Sequence, residues 1–172
     1  MAAELVEQIA MEVNEKVMKM DQSQAVITAS VRLNGTAPDL IQPNRRLILE
    51  DVIKMQHDRK LRNRKVKKYV LLLFNDIILL AKTGKGDTYH HINGRKMKKI
   101  AMKYKWKMKQ INVTGITSPF DASNGWPFYI MKSVSVEQNS GQKFGTAVER
   151  IKLYAETEAS RKAIVEIIEE CK

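Results

Sequence analysis

The side chains with the clearest chemical potential are cations. Of the chain's 30 Lys and Arg residues, 19 lie between positions 46 and 110, accompanied there by only 5 Asp or Glu. Segments 1–45, 46–110 and 111–172 carry net charges of −2, +14 and −1 within a total of +11. An excess confined to the middle third predicts a cationic surface aimed at an anionic partner, either a phosphoinositide-bearing membrane or a nucleic acid. Residues 56–65 read as a loop with five cations against one acid. Phosphate needs several converging donors, which Arg supplies as a fork and Lys as a point charge. At 103–109 the lysines alternate with Tyr104, Trp106 and Met108, so a period of two sends the lysines to water and the aromatics to a core. That separation argues against nucleic acid, since base stacking on Tyr104 and Trp106 would require opening the core.

Catalytic chemistry finds little support. The histidines are His57, His90 and His91, and the one cysteine is Cys171. There is no zinc spacing, no Gly-rich phosphate loop before a helix, and no acidic pair in apolar surroundings. We expect no catalytic residues, no metal and no cofactor. A lone cysteine fits a reducing, cytosolic setting. With 44% apolar and 28% charged residues the chain has a globular composition, and its amino terminus is acidic and helical in pattern rather than that of a signal peptide.

The elements that must position the cations are legible from periodicity. Residues 64–82 hold two short apolar runs either side of Asn75-Asp76, which predicts a tight hairpin, with a buried helix as the competing local reading. Residues 3–33 contain no Gly or Pro, and apolar side chains recur at Val6, Ile9, Val13, Val17, Met20, Ile27 and Val31. That spacing predicts an amphipathic helix ending at Asn34-Gly35, whose stripe must cover the strand sheet or a second copy of the chain. A connector with Pro38 and Pro43 leads to a strand at 46–55. Residues 83–102 form either a functional loop or a partly disordered one. Further strands are expected at 111–116, 128–136 and 147–155, the last two joined by a loop with Gly141 and Gly145. A final helix is capped by Thr157 and presents Ala163, Ile164, Ile167, Ile168 and Cys171 on one face.

Leu73-Phe74-Asn75-Asp76 followed at once by Ile77-Ile78-Leu79-Leu80 resembles the second and third strands of the pleckstrin-homology domain that follows the Dbl-homology domain in Rho-family guanine nucleotide exchange factors. Asn14-Glu15-Lys16-Val17 in the long helix, Arg32-Leu33-Asn34-Gly35, and a connector into Arg45-Arg46-Leu47-Ile48-Leu49-Glu50 are similar to the junction between those two domains. The resemblance implies a mainly β fold with helices: a seven-stranded pleckstrin-homology barrel capped by a C-terminal helix and preceded by a long N-terminal helix. Residues 1–35 would be the terminal helix of a Dbl-homology domain, 36–45 the linker and 46–172 the pleckstrin-homology domain. Where the family usually has a tryptophan in the last helix, this chain offers Ile164.

The earlier helices of an exchange domain have no counterpart in these residues, so the resemblance implies a non-catalytic module. Its expected role is phosphoinositide or anionic-membrane binding and regulation within a Rho/Rac-type exchange factor, in the cytoplasm and peripheral at the inner face of the plasma membrane. The alternative is a protein-interaction module that docks a GTPase or masks the exchange domain. The family's headgroup pattern falls on Lys54, Lys65 and Lys67, with Arg62 and Arg64 as a second register. Arg59, Lys60, Lys103 and Lys105 complete the set expected to act as phosphate ligands or nonspecific contacts. A Rho/Rac-type GTPase would be a partner through the parent protein, and a homodimer could form through the N-terminal helix.

Overall fold

The computed structural model describes residues 2–56, 66–83, 89–92, 94–114, 119–137 and 143–172. The cationic loop at 57–65, with its candidates Arg59, Lys60, Arg62, Arg64 and Lys65, lies outside the described residues. So do 115–118 at the end of one predicted strand, Gly84 and Gly86, and Gly141.

The two apolar runs form strands β2 (Val66–Phe74) and β3 (Ile77–Thr83), paired antiparallel from Val70↔Ala81 to Leu73↔Ile78. Their runs are continuous rather than alternating because both faces are covered. Tyr69, Leu71, Leu73, Ile78 and Leu80 enter one core cluster, whereas Val70, Leu72, Phe74, Ile77, Leu79 and Ala81 enter another. A strand buried on both faces has no polar side to show, and this resolves the ambiguity with a buried helix.

The remaining strands are β1 (Leu47–Gln56), β4 (Tyr89–Ile92), β5 (Arg95–Lys98), β6 (Ile100–Lys107), β7 (Ile111–Thr114), β8 (Trp126–Glu137) and β9 (Lys143–Ala155). Seven form one antiparallel sheet in the order β6-β3-β2-β1-β9-β8-β7. Trp106 on one edge strand and Ile111 on the other share a core with Ile53, Phe128 and Leu153, so the sheet curls into a barrel around them. Helix α2 (Glu158–Glu170) closes one end. Thr157 caps it by accepting from the Ser160 amide at 3.0 Å, and Ile164, Val165 and Ile168 are buried in the barrel core. Ile164 is wholly buried, an aliphatic plug contributing about 2 kcal/mol by its burial.

β6 departs from simple alternation. Leu80 pairs with Tyr104 but Ala81 with Met102, leaving Lys103 as an extra residue in a bulge. The bulge reverses the facing of the strand: Tyr104, Trp106 and Met108 point inward, while Ile100 and Met102 turn outward to the second cluster.

That second cluster is where helix α1 (Ala2–Arg32) docks. Asn34 and Gly35 end it with φ of 48° and 75°. Val26, Ala29 and Leu33, spaced by three and four, bury against the outer face of β2 and β3 together with Ala37 and Leu40. This corrects the expected packing. The stripe through Val6, Ile9, Val13, Val17, Met20, Ile27 and Val31 does not cover the sheet; each of these side chains is at least 41% exposed. The face that docks is narrower and uses an alanine, which lets the helix approach closely. Arg32, nearly buried, ties α1 to β1 through an ion pair with Glu50 at 2.6 Å.

The segment of uncertain structure at 83–102 contains the β4–β5 hairpin, with Tyr89↔Lys98 and Ile92↔Arg95 pairing and Gly94 at φ 74° in its turn.

Candidate anion-binding site

Barrel strands alternate inward and outward side chains, so the residue that follows the core in each strand forms a ring at the open end. On β2, Lys67 precedes Tyr69 and Leu71 on the inner face and stands opposite Met55 of β1. Lys82 follows Leu80 on β3, with its ammonium 5.4 Å from the centre of the Tyr69 ring. Lys132 follows Phe128 and Ile130 on β8, directly opposite Glu149 of β9. Lys103 stands in the β6 bulge. An open cleft of about 480 Å³ at this end is lined by Met55, Gln56, Lys103, Lys132, Glu149 and Arg150 among others.

The floor is aromatic. Tyr69 and Tyr104 meet edge to face at 5.9 Å, and Tyr104 stacks on Trp106 at 5.8 Å. Burial, reinforced by the neighbouring Tyr104 hydroxyl, pushes the Tyr69 phenol up to about 12, so it stays protonated at neutral pH. Of the lysines, Lys82 stands over this floor, its ammonium against the Tyr69 ring. Trp106 is buried in the core, which removes it as a stacking platform for bases.

Of the predicted site residues, Lys103 and Lys105 line this cleft, and Lys67 stands on the inner face of β2 without being part of its lining. Lys54 does not share the face of Lys67: Ile53 and Met55 point inward, and Lys54 stands outside opposite Lys68 and Tyr154. Lys105 also faces outward at the rim, paired with Asp39 of the connector at 3.2 Å. The register thus separates Lys54 from Lys67, which the linear pattern had joined. Sequence reasoning passed over Lys82 and Lys132. Their signal was their place two residues beyond an inward-facing Leu80 and Ile130. Outside the barrel, Arg150 lies 3.8 Å from the Tyr129 ring centre and Lys152 5.0 Å from that of Tyr154. Contact with Tyr154 holds the Lys152 ammonium above its ordinary value. His90 and His91 occupy successive positions of β4 and so point to opposite faces. Among the described residues no group of three or more His, Cys, Asp or Glu could hold a metal ion, and no helix is long and apolar enough to cross a membrane.

No family model matches this chain, and no curated protein matches it. Its fold is similar to solved structures of tandem Dbl-homology/pleckstrin-homology (DH/PH) domains. The N-terminally truncated linker-DH/PH domains of p115-RhoGEF align over 99% of this chain and 45% of that chain, at 17% identity and a TM-score of 0.62. A second structure of the p115-RhoGEF DH/PH domains aligns over the same shares at 16% identity and a TM-score of 0.59. The DH/PH domains of PDZ-RhoGEF, in complex with GTP-gamma-S activated RhoA, align over 96% and 43% at 14% identity and a TM-score of 0.53. The chain spans less than half the length of these structures, and the likeness is one of fold: a pleckstrin-homology barrel preceded by the long helix that ends a Dbl-homology domain.

Proposed function

We propose that this chain is the anionic-membrane-binding and regulatory module of a Rho/Rac-type guanine nucleotide exchange factor, itself non-catalytic, that works at the cytoplasmic face of the plasma membrane by taking phosphoinositide headgroups into the barrel mouth. Residues 1–35 act as the last helix of an exchange domain, 36–45 as the linker and 46–172 as the binding domain. The observation that carries the reading is the cleft lined by Lys103, Lys105, Lys132 and Arg150 beside Tyr104 and Trp106, with Lys82 and Lys67 on the inner faces of the successive strands β3 and β2. The cations of 57–65, Arg59, Lys60, Arg62, Arg64 and Lys65, follow directly on β1 in sequence and are proposed as further phosphate contacts. Lys54 and Lys105 serve as outer electrostatic contacts. Each cation near an anionic leaflet is worth about 1 kcal/mol, which gives adhesion that is useful and sensitive to salt.

Cosedimentation with vesicles tests this. The chain should pellet with vesicles containing phosphoinositide, lose most of that binding as salt rises from 50 to 500 mM, and ignore neutral vesicles. Equal binding to both vesicle types would remove the reading.

A second reading, protein docking, is favoured by a separate observation. Val6, Ile9, Val13 and Val17 stand exposed along α1, a long apolar stripe of the kind that marks an interaction surface. In the parent protein that surface would meet the remainder of the exchange domain; in an isolated chain it would pair two copies. Pull-down of a nucleotide-specific Rho/Rac GTPase without vesicle binding would favour it over the membrane role.

A further inference from the structure

The geometry points to a docking cleft for an acidic, extended protein segment at the Asn75-Asp76 end of the β2–β3 hairpin, a site apart from the membrane reading. The connector, the hairpin turn, the end of β6 and the carboxy-terminal end of α2 line an open cleft of about 520 Å³ there. Its two acids are already engaged, Asp76 by Arg45 and Asp39 by Lys105 at 3.2 Å. Lys107 and Lys109 line the same cleft, stand exposed, and have no carboxylate partner among the described residues. Residues 88–120 carry eight cations and no acid, so nothing nearby in the chain neutralises them. The cleft keeps two uncompensated positive charges.

Asp39 shows how the cleft takes a carboxylate. It reaches in from the connector and seats on Lys105. Lys107, two residues on along the same face of β6, repeats that position about 6.6 Å further, and Lys109 follows in the turn after the strand. A guest chain in extended form presents the side chains of one face at the same interval, so acids at alternate positions seat on Lys107 and Lys109 in succession. Each contact is a charge-assisted hydrogen bond from an ammonium group. The cleft lies at the far end of β2 from Lys67, so a chain seated on a leaflet by its mouth leaves it open to a soluble partner.

The test is fluorescence anisotropy of the full chain with a labelled peptide of alternating Glu and Thr, beside one of the same composition whose Glu residues are contiguous. The alternating peptide should bind the more tightly. K107Q/K109Q should weaken it about tenfold and K107E/K109E further, both keeping the wild-type thermal midpoint and vesicle binding. K67E/K103E changes net charge as much as K107E/K109E does, and should lose vesicle binding while keeping the peptide. No binding by the wild type, no preference between the peptides, or equal losses in the two reversal variants would overturn the cleft and leave Lys107 and Lys109 as guards at the edge of the sheet. Loss of vesicle binding in K107E/K109E with the peptide retained would overturn it too, assigning the two lysines to the leaflet. None of these results removes the membrane reading, which stands or falls on cosedimentation of the wild type.

Discussion

The Arg45 guanidinium grips both carboxylate oxygens of Asp76, through Nε at 2.8 Å and Nη2 at 2.5 Å, and so fastens the connector to the turn between β2 and β3. Arg45 is buried, and its remaining donors go to the carbonyls of Asp39 and Leu40 and to the side chain of Gln42. Asn75 completes the clasp: its side chain accepts from the Arg46 amide at 2.9 Å and donates to the Asn44 carbonyl at 3.0 Å. The two turn residues therefore do more than reverse the chain. They hold the segment that delivers α1 to the outer face of the hairpin.

Loosening that clasp should cost stability with a defined pH dependence. The Arg45 hydrogen bonds hold the Asp76 carboxyl below its ordinary value, so the pair stabilises the fold above the unfolded aspartate range near pH 4 and loses that contribution as pH falls through the lower folded value. Urea unfolding of R45A and D76N at pH 7 should show losses of about 2–3 kcal/mol. In D76N, this component of the acid-induced decline should vanish. An unchanged acid limb in D76N would show that the pair carries no such linkage.

Charge reversal at the mouth should weaken membrane binding in a graded way. K67E and K103E should each reduce affinity for phosphoinositide vesicles about tenfold at low salt, and K82E or K132E by a similar factor. K54E, on the outer face, should have a smaller effect. If K54E proved as damaging as K67E, the headgroup would sit outside the barrel instead.

The two faces of α1 should respond oppositely to substitution. L33A removes a fully buried side chain and should cost about 3 kcal/mol in urea unfolding. V13D and V17E place charge on exposed positions and should leave the midpoint within about 0.5 kcal/mol. In sedimentation, the same two substitutions should abolish any concentration-dependent dimer formed by this stripe.

Gly125 should tolerate no side chain. Its φ is 113°, and a Cβ built there would lie 2.4 Å from the Ala155 carbonyl oxygen, a contact with backbone that cannot swing aside. G125A should lower the thermal midpoint markedly, whereas G35A, at φ 75° in open space, should cost only about 1 kcal/mol.

The hairpin at Asn75-Asp76, the long helix with its stop at Asn34-Gly35, the inward set at 104, 106 and 108, and the Thr157 cap were all legible beforehand, because each rests on local periodicity or on a residue's own backbone preference. The face α1 would use was not. Hydrophobicity alone does not single out Val26, Ala29 and Leu33 from the valines and isoleucines of the stripe, and the contact is decided by the outward residues of β2 and β3, which lie far along the chain.

The site divides in the same way. Sequence by itself determined that cations crowd the middle third and that strands of period two would sort them onto faces. Only the tertiary structure decided which cations meet. Cross-strand register put Lys54 and Lys67 on opposite sides of one sheet, a one-residue bulge set Lys103 at the rim, and curling of the sheet brought Lys132 and Glu149 into one cleft with Lys103 and Lys105. Composition can count charges, but a side chain's neighbours across a barrel depend on strand order, stagger and closure, which are properties of the whole chain acting together.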